Sequence, residues 1–365
     1  MPTFPSREID IMADMAGCPN RCRHCWLGNP ENRRMSEATA RDIVAAFRAW
    51  TRPGEREPYF RRVGFISWYR EPDFSPDYRR LHELERELNG GKATRFELLS
   101  IWRLARDEGY AGWAREVGTE VCQVSFFGME ETTDWFARRR GAFRDNIVAT
   151  GRLLAAGIRP RWQIFLTTRS LPELDAMVGL VQSLDLDRRV RALGAEFDVF
   201  LNTMSPDGEA WDIEDLRPEA DVLVAIPPYL AEKTLAHFRA ASLQDALGRP
   251  EAHLVPGLLA DDRPHGAWPE HLAFMVASDL DVCSNVGDLM PWWRLGNLER
   301  DGVGEIIRRF EADEPPGMRA HFGVPVRELA RRYSRPGGGK LYDKRDLTSR
   351  LVRSWAQDVW ERRRG

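Results

Sequence analysis

The chain has 365 residues, of which 43% are hydrophobic and 30% charged, with a formal net charge of −3. This composition describes a folded chain with one large core or two modest ones; it excludes a disordered polymer, and a charge so near neutral supplies no field for general nucleic-acid affinity. No stretch approaches the roughly 20 apolar residues that span a bilayer, and the opening segment MPTFPSREIDIMADMAG lacks the basic-then-apolar order of a signal peptide, so a cytoplasmic enzyme is expected.

In chain order, IDIMA (9–13), RVGFIS (62–67), FELLS (96–100), VCQVSFF (121–127), RWQIFLT (161–167) and FDVFLN (197–202) read as strands, with amphipathic helical stretches between them. Ser36 is the expected N-cap of the helix EATARDIVAAFRAW. GAFRDNIVATGRLLAAG places Phe143, Ile147, Gly151 and Leu154 on one face and stops at Gly157. Ser170 and Glu173 have the spacing of a capping box. Six strand–helix units imply a parallel sheet with right-handed crossovers. The expected fold class is α/β: a partial (β/α)6 TIM-like barrel over residues 1–205, with a smaller α+β C-terminal cap over 206–365. In that cap YLAEKTLAHFRAASLQDALG reads as a helix, HLAFMVASDLDVCSNVG as a strand pair, and RPGGGK as a linker to a final helix.

Five cysteines, an odd number, argue against a disulfide framework, and three of them crowd the loop after the first strand: Cys18, Cys22 and Cys25. Structural zinc takes four ligands, usually from two paired half-sites, and no partner pair occurs here; His24 is the available fourth ligand, beside Cys25. A cubane of four irons is held by thiolates, so three close thiolates leave one iron open to a substrate or cofactor. In barrels of this type sites collect at the C-terminal strand ends, where this loop lies.

With its spacing CxxxCxxC, the loop resembles the radical S-adenosylmethionine (radical SAM) superfamily, in which an aromatic residue commonly precedes the last cysteine; here His24 stands there. The resemblance covers residues 8–205 closely and the remainder more loosely. It implies one [4Fe-4S] cluster on Cys18, Cys22 and Cys25, with S-adenosylmethionine chelated at the open iron. Reductive cleavage then yields a 5′-deoxyadenosyl radical that takes a hydrogen atom from the substrate. Glu71-Pro72 matches the second half of the family's Gly-Gly-Glu-Pro turn, with Tyr69 and Arg70 in place of the glycines. The stretch from Cys122 is similar to the peptide-maturase, SPASM-related branch, which implies cofactor contacts at Ser125 and at one of Arg138, Arg139 and Arg140, with Arg139 the choice by spacing.

Strand alternation places Gln123, Ser125 and Phe127 on one face, and Arg161, Gln163 and Phe165 on another, leaving Cys122, Trp162, Ile164 and Leu166 outward. Gln163 and Ser100 are therefore further cofactor candidates, and Glu196, Asp198 and Asn202 are grouped in the same way. Auxiliary clusters of that branch need a run of cysteines, whereas Cys283 stands alone; it is a hydrogen-atom donor or a structural residue. Without a built-in electron acceptor, redox-neutral chemistry on a peptide or small metabolite is expected, as an oxidoreductase or lyase fed by an external donor such as flavodoxin or ferredoxin. The competing function is a non-catalytic metal-stabilised module binding RNA or protein. The glycines form no Walker loop or dinucleotide fingerprint, and the seven histidines no metal spacing.

Overall fold

A computed structural model of the protein describes residues 6–93 and 97–364. Strand β1 (Glu8–Ala13) alternates Glu8, Asp10 and Met12 with fully buried Ile9, Ile11 and Ala13. The buried set shares one core with Ile43 and Phe47 of helix Glu37–Ala49, Phe310 of helix Leu298–Glu311 and Leu351 of helix Lys344–Arg362. Ser36 caps the first of these helices by accepting the Thr39 N–H at 3.0 Å. The helix therefore starts where its sequence signal lies.

β1 pairs in parallel with β2 (Arg62–Ile66), Ile11 opposite Phe65. A second, all-parallel sheet contains β3 (Val121–Phe126), β4 (Arg159–Phe165) and β5 (Val199–Asn202), with Ser125 opposite Gln163 and Gln163 opposite Phe200. Its outward residues, among them Cys122, Trp162 and Leu201, join a separate core under helices Ala142–Ala155 and Leu174–Ser183. The free edge of β5 is closed by helix Pro228–Phe238, whose Thr234 hydroxyl accepts the Leu201 N–H at 3.0 Å. Farther along lie β6 (Arg249–Pro250), β7 (Ala273–Val276), β8 (Asp281–Ser284), β9 (Gly296–Asn297) and β10 (Leu341–Tyr342). β7 pairs in parallel with the other edge of β1, and β8 and β9 follow antiparallel, giving the order β2–β1–β7–β8–β9; β10 pairs with β6. No described helix is long and apolar enough to cross a membrane.

The architecture is thus mixed α/β with helices over the C-terminal part, but the expected six-stranded parallel sheet is two sheets. Of the third expected strand, Phe96 lies outside the described residues. Residues 97–100 form no strand, because Ser100 already turns into the short helix Ile101–Leu104. Only Glu97 reaches β3, accepting the Gln123 N–H at 2.8 Å. Two helical expectations are corrected as well. Ser170 does not cap; its hydroxyl donates to the Phe165 carbonyl at 2.8 Å, while Glu173 accepts from Met129 N–H and Thr132 at 2.7 and 2.9 Å. The long helix expected over 229–248 breaks at Arg239, whose left-handed backbone (φ 52°) separates Pro228–Phe238 from Leu243–Leu247.

The closing helix Lys344–Arg362 is tied in by the Arg350–Glu251 pair, side chains 2% and 1% exposed, with Glu251 also accepting the Arg335 N–H at 2.6 Å. Glu251→Ala strands a buried guanidinium and is expected to cost about 3–5 kcal/mol. The check is the shift in the urea midpoint at unchanged slope. Glu251→Leu combined with Arg350→Met should recover most of that loss.

Candidate functional site

The cysteine loop leaves the C-terminal end of β1 and is held at every cysteine by backbone hydrogen bonds. Asn32 accepts the Cys18 N–H at 3.1 Å and donates to the Cys18 carbonyl at 2.8 Å. The Cys22 carbonyl accepts from the Asn29 amide at 3.3 Å and from the Cys25 N–H at 3.1 Å. That of Cys25 accepts from the N–H groups of Gly28 and Glu209 at 3.1 and 3.0 Å. Between them, Arg21 and Arg23 N–H groups bond the Ala137 and Phe136 carbonyls at 3.2 and 2.8 Å, fastening the loop to the end of helix Glu130–Ala137. Beneath it, Asp14 accepts from Gly17 N–H at 2.9 Å and from Arg70 Nε at 2.7 Å; Arg70 Nη1 also donates to the Pro30 carbonyl at 2.9 Å. Arg70, standing where the resembling family has glycine, therefore braces the loop against β1.

All three thiols are free and half-buried by area, yet densely surrounded by protein. Burial, with the charges of Glu71 and Cys22, pushes the Cys18 thiol up; burial and the Cys25 and Glu71 charges do the same to Cys22, and burial does so to Cys25. Thiols so placed favour the neutral form until a metal cation supplies the compensating charge. Among the described residues no three His, Cys, Asp or Glu side chains stand as a preformed metal-ligand group. The backbone gathers the three cysteines; their side chains do not converge as a finished set.

Glu71 lies beside this loop. Its Oε1 accepts from the Ser100 hydroxyl at 2.9 Å and its Oε2 is 3.9 Å from Cys18 Sγ. Burial pushes its carboxyl up to about 7, against the opposing effects of the Ser100 hydrogen bond and the Arg139 charge. Ser100 combines two roles, since the same hydroxyl caps helix Ile101–Leu104 by accepting Arg103 N–H at 3.2 Å. Arg139 is aimed by a rigid turn in which Asp134 accepts Gly141 N–H at 2.5 Å and Phe143 N–H at 2.9 Å. It pairs with Asp145 at 2.6 Å and donates to Asn20 at 2.5 Å, so it reaches the loop already engaged. Arg138, in left-handed backbone (φ 49°), turns to Glu209 at 3.6 Å.

On the second sheet Gln163 accepts from Gln123 at 2.7 Å and from the Ser125 hydroxyl at 3.4 Å. Asn146 fixes the strand by donating to the Ser125 carbonyl at 2.7 Å. Arg161 donates to Gln123 at 3.2 Å and pairs with Glu97 at 2.6 Å. Farther up the same face, Phe127 and Phe165 stack at 4.9 Å, and His24 lies against both, at 4.4 and 4.9 Å between ring centroids. His24 joins the thiol loop to this face. Burial lowers its imidazole to about 4, and its Nδ1 is buried without a partner.

Other candidates lie elsewhere. Glu196 precedes β5 and pairs with Arg191 at the exposed surface, while Asp198 holds His237 at 2.9 Å. Cys122 is fully buried in the core of the second sheet; Cys283 is opposite Met275 across β7 and β8, and burial pushes its thiol far up. Sequence reasoning missed Asn32, the Asp14–Arg70 pair and Gly208. Gly208 has φ +58° and approaches Cys25 so closely that a Cβ would lie 2.4 Å from the Cys25 carbonyl oxygen. The Asp-Gly dipeptide was its available signal, marking a turn without saying what the turn touches.

No family model matches this sequence, and no curated protein matches it. Among solved structures, native anSMEcpe with bound AdoMet aligns with a TM-score of 0.52 and 14% identity, covering 97% of this chain and 98% of that one. Native anSMEcpe with bound AdoMet and Kp18Cys peptide aligns with a TM-score of 0.52 and 13% identity over the same shares of the two chains, 97% and 98%. Over nearly its whole length, then, the chain shares the fold of anSMEcpe.

Proposed function

We propose that this chain is a radical SAM enzyme of the peptide-maturase-like branch, working with one [4Fe-4S] cluster on Cys18, Cys22 and Cys25 and with S-adenosylmethionine. The observation that carries the reading is the meeting of three groups: the thiol loop, the Glu71–Ser100 pair 3.9 Å from Cys18, and the Gln123–Gln163–Ser125 set joined to the loop through His24. The fold shared with a protein that holds AdoMet supports it. The donor set fits the groups: three thiols for iron, a carboxylate for the methionyl amine, and beside them a buried imidazole nitrogen without a hydrogen-bond partner.

When bound, the reduced cluster and S-adenosylmethionine together supply a 5′-deoxyadenosyl radical that removes a hydrogen atom from the substrate. In this reading Glu71 orients the cofactor amine, Arg139 adds positive charge near its carboxylate, and Ser125 and Gln163 contact its polar remainder. Residues 1–205 carry this machinery and 206–365 shape the substrate space. A peptide is the favoured substrate, in keeping with the Kp18Cys peptide bound to anSMEcpe. With one cysteine beyond the barrel half, Cys283, the electron comes from an external donor, flavodoxin or ferredoxin, and the net chemistry is redox-neutral.

Anaerobic reconstitution should load about four irons per chain, and reduction with S-adenosylmethionine should release 5′-deoxyadenosine. One zinc per chain with no cleavage overturns the reading. Glu71→Gln removes the charge but keeps the Ser100 acceptor, so iron content should hold while S-adenosylmethionine affinity falls about 10- to 100-fold by titration calorimetry, the worth of one charge-assisted hydrogen bond.

A further inference from the structure

A cavity of about 640 Å³ opens beside the thiol loop, with Trp26, next to Cys25, in its wall. The turn that follows β5, the turn that follows β8 and the first turns of helix Lys344–Arg362 contribute Asp207, Asp288 and Asp346, and Trp268 and Trp293 complete the aromatic lining. Trp293 is held rigidly between Gly287 and Gly317, where a Cβ would come within 2.2 and 2.4 Å of its ring. Only 6% exposed, it lines the cavity with an indole N–H that has no hydrogen-bond partner among the described residues.

The negative charge here is incompletely answered from within. Asp288 accepts two backbone N–H groups, from Gly208 at 3.1 Å and Met290 at 3.0 Å. Asp207 accepts the Ser205 hydroxyl at 2.7 Å, whereas the Asp346 carboxylate accepts no hydrogen bond from the described residues. Two interior arginines stand near but apart. Arg353 Nη1 is 3.9 Å from Asp288 and donates instead to the Gly208 carbonyl at 2.5 Å. Arg217 Nη2 is 3.7 Å from Asp346, while its nitrogens donate to the Leu341 carbonyl, at 2.8 Å, and to that of Met204. Burial and the Asp207 charge push Asp288 up to about 7; burial and Asp343 push Asp346 up to about 7. Burial keeps the lining imidazoles His265 and His321 low. Arg345 also stands in the wall and offsets part of the negative charge, against the carboxylates of Asp207, Glu270, Asp288, Asp343 and Asp346.

We propose that this cavity binds the cationic end of the substrate, an alkylammonium or guanidinium such as a lysyl or arginyl side chain of a peptide. Aromatic faces and carboxylates together are the chemistry that recognises an organic cation: a ring face attracts the charge and an ionised carboxylate takes its N–H groups. A metal ion is the weaker occupant, since no three described carboxylate, thiol or imidazole side chains are arranged as ligands. The volume lies within the range of small-molecule sites. That the cation belongs to a substrate rests on the function proposed above, because Trp26 places the cavity against the thiol loop.

The test measures binding of the peptide acetyl-Gly-Lys-Gly-amide, of its acetyl-lysine counterpart and of butylamine to the full chain by calorimetry. The lysyl peptide should bind about tenfold or more tightly than the acetylated one, the worth of a charged hydrogen bond. Asp346→Asn should abolish that preference, and Asp346→Glu should restore most of it. Asp346 is the residue to change because its carboxylate accepts no hydrogen bond from the described residues and meets Arg217 only at 3.7 Å, whereas Asp288 holds two backbone N–H groups. Butylamine binding without peptide binding keeps the cation site and assigns it to a small metabolite. Equal affinity for charged and acetylated peptide, or binding of none of the three, overturns the proposal. Iron content and 5′-deoxyadenosine release are read on the same preparation. An iron-free chain that still prefers the lysyl peptide loses only the radical reading; a cleaving chain indifferent to peptide charge loses only the cavity.

Discussion

Alanine at Cys18, Cys22 or Cys25 is expected to abolish iron retention after anaerobic reconstitution, whereas Cys122→Ala and Cys283→Ala leave it intact. The split follows from position. Cys18, Cys22 and Cys25 share one loop whose backbone is pinned by Asn32, Asn29 and Glu209, so each can turn onto a common metal centre. Cys122 is sealed in the core behind β3, and Cys283 opposite Met275 on β8. A cubane held by three thiolates loses a third of its protein anchorage with each deletion and has none to spare, since one iron is already open. Iron and sulfide analysis with the visible absorption band reads the outcome. Iron loss on Cys122→Ala or Cys283→Ala at unchanged melting temperature would overturn the ligand assignment.

The second large effect is expected at Gly208. An alanine there must adopt φ near +58° and set its Cβ 2.4 Å from the Cys25 carbonyl oxygen and 2.5 Å from Trp26 Cα. The left-handed backbone alone costs about 1–2 kcal/mol, and displacing backbone rather than a flexible side chain raises the total to about 3 kcal/mol or more. The same shift breaks the Glu209 N–H bond to Cys25 at 3.0 Å, so Gly208→Ala should bind substoichiometric iron as well as unfold earlier in urea. Gly157→Ala is the control: φ is +74° but nothing lies within 4 Å of its Cβ, so only the backbone strain of about 1 kcal/mol should appear. If the two variants prove equally stable and equally iron-loaded, Gly208 is not a clamp on the loop.

Local periodicity accounts for what could be read in advance. The apolar runs at β1, β2, β3, β4 and β5 are short and bounded by turn residues, and the alternation in VCQVSF separates Cys122, in the core, from Gln123 and Ser125, which meet Gln163. The strand pair at β7 and β8 was equally plain. Long-range partners leave no such trace. Nothing in FELLS announces that Ser100 will turn early to cap a helix and meet Glu71. Glu173 has the spacing of a capping box, yet its carboxylate goes to Met129 and Thr132, a choice made by tertiary packing. Asp14 and Arg70 look like ordinary charges until β1 and β2 lie side by side and enclose them, each with its side chain 4% exposed. At the site, the three thiols and Glu71 were legible as motif residues; the carboxylates of the cavity, spread over positions 207, 288 and 346, were not.

One feature of the first sheet governs the order of events during synthesis. β1 is flanked by β2 on one side and, in parallel, by β7 on the other, although β7 emerges only after more than 250 further residues. Until then a nascent chain carries the edge of β1 unpaired and Ile9 and Ile11 without Phe274 and Phe310 to cover them. A fragment ending near residue 205 would therefore present a sticky half-sheet, and the loop that β1 launches is not backed by a complete sheet until β7 has been made.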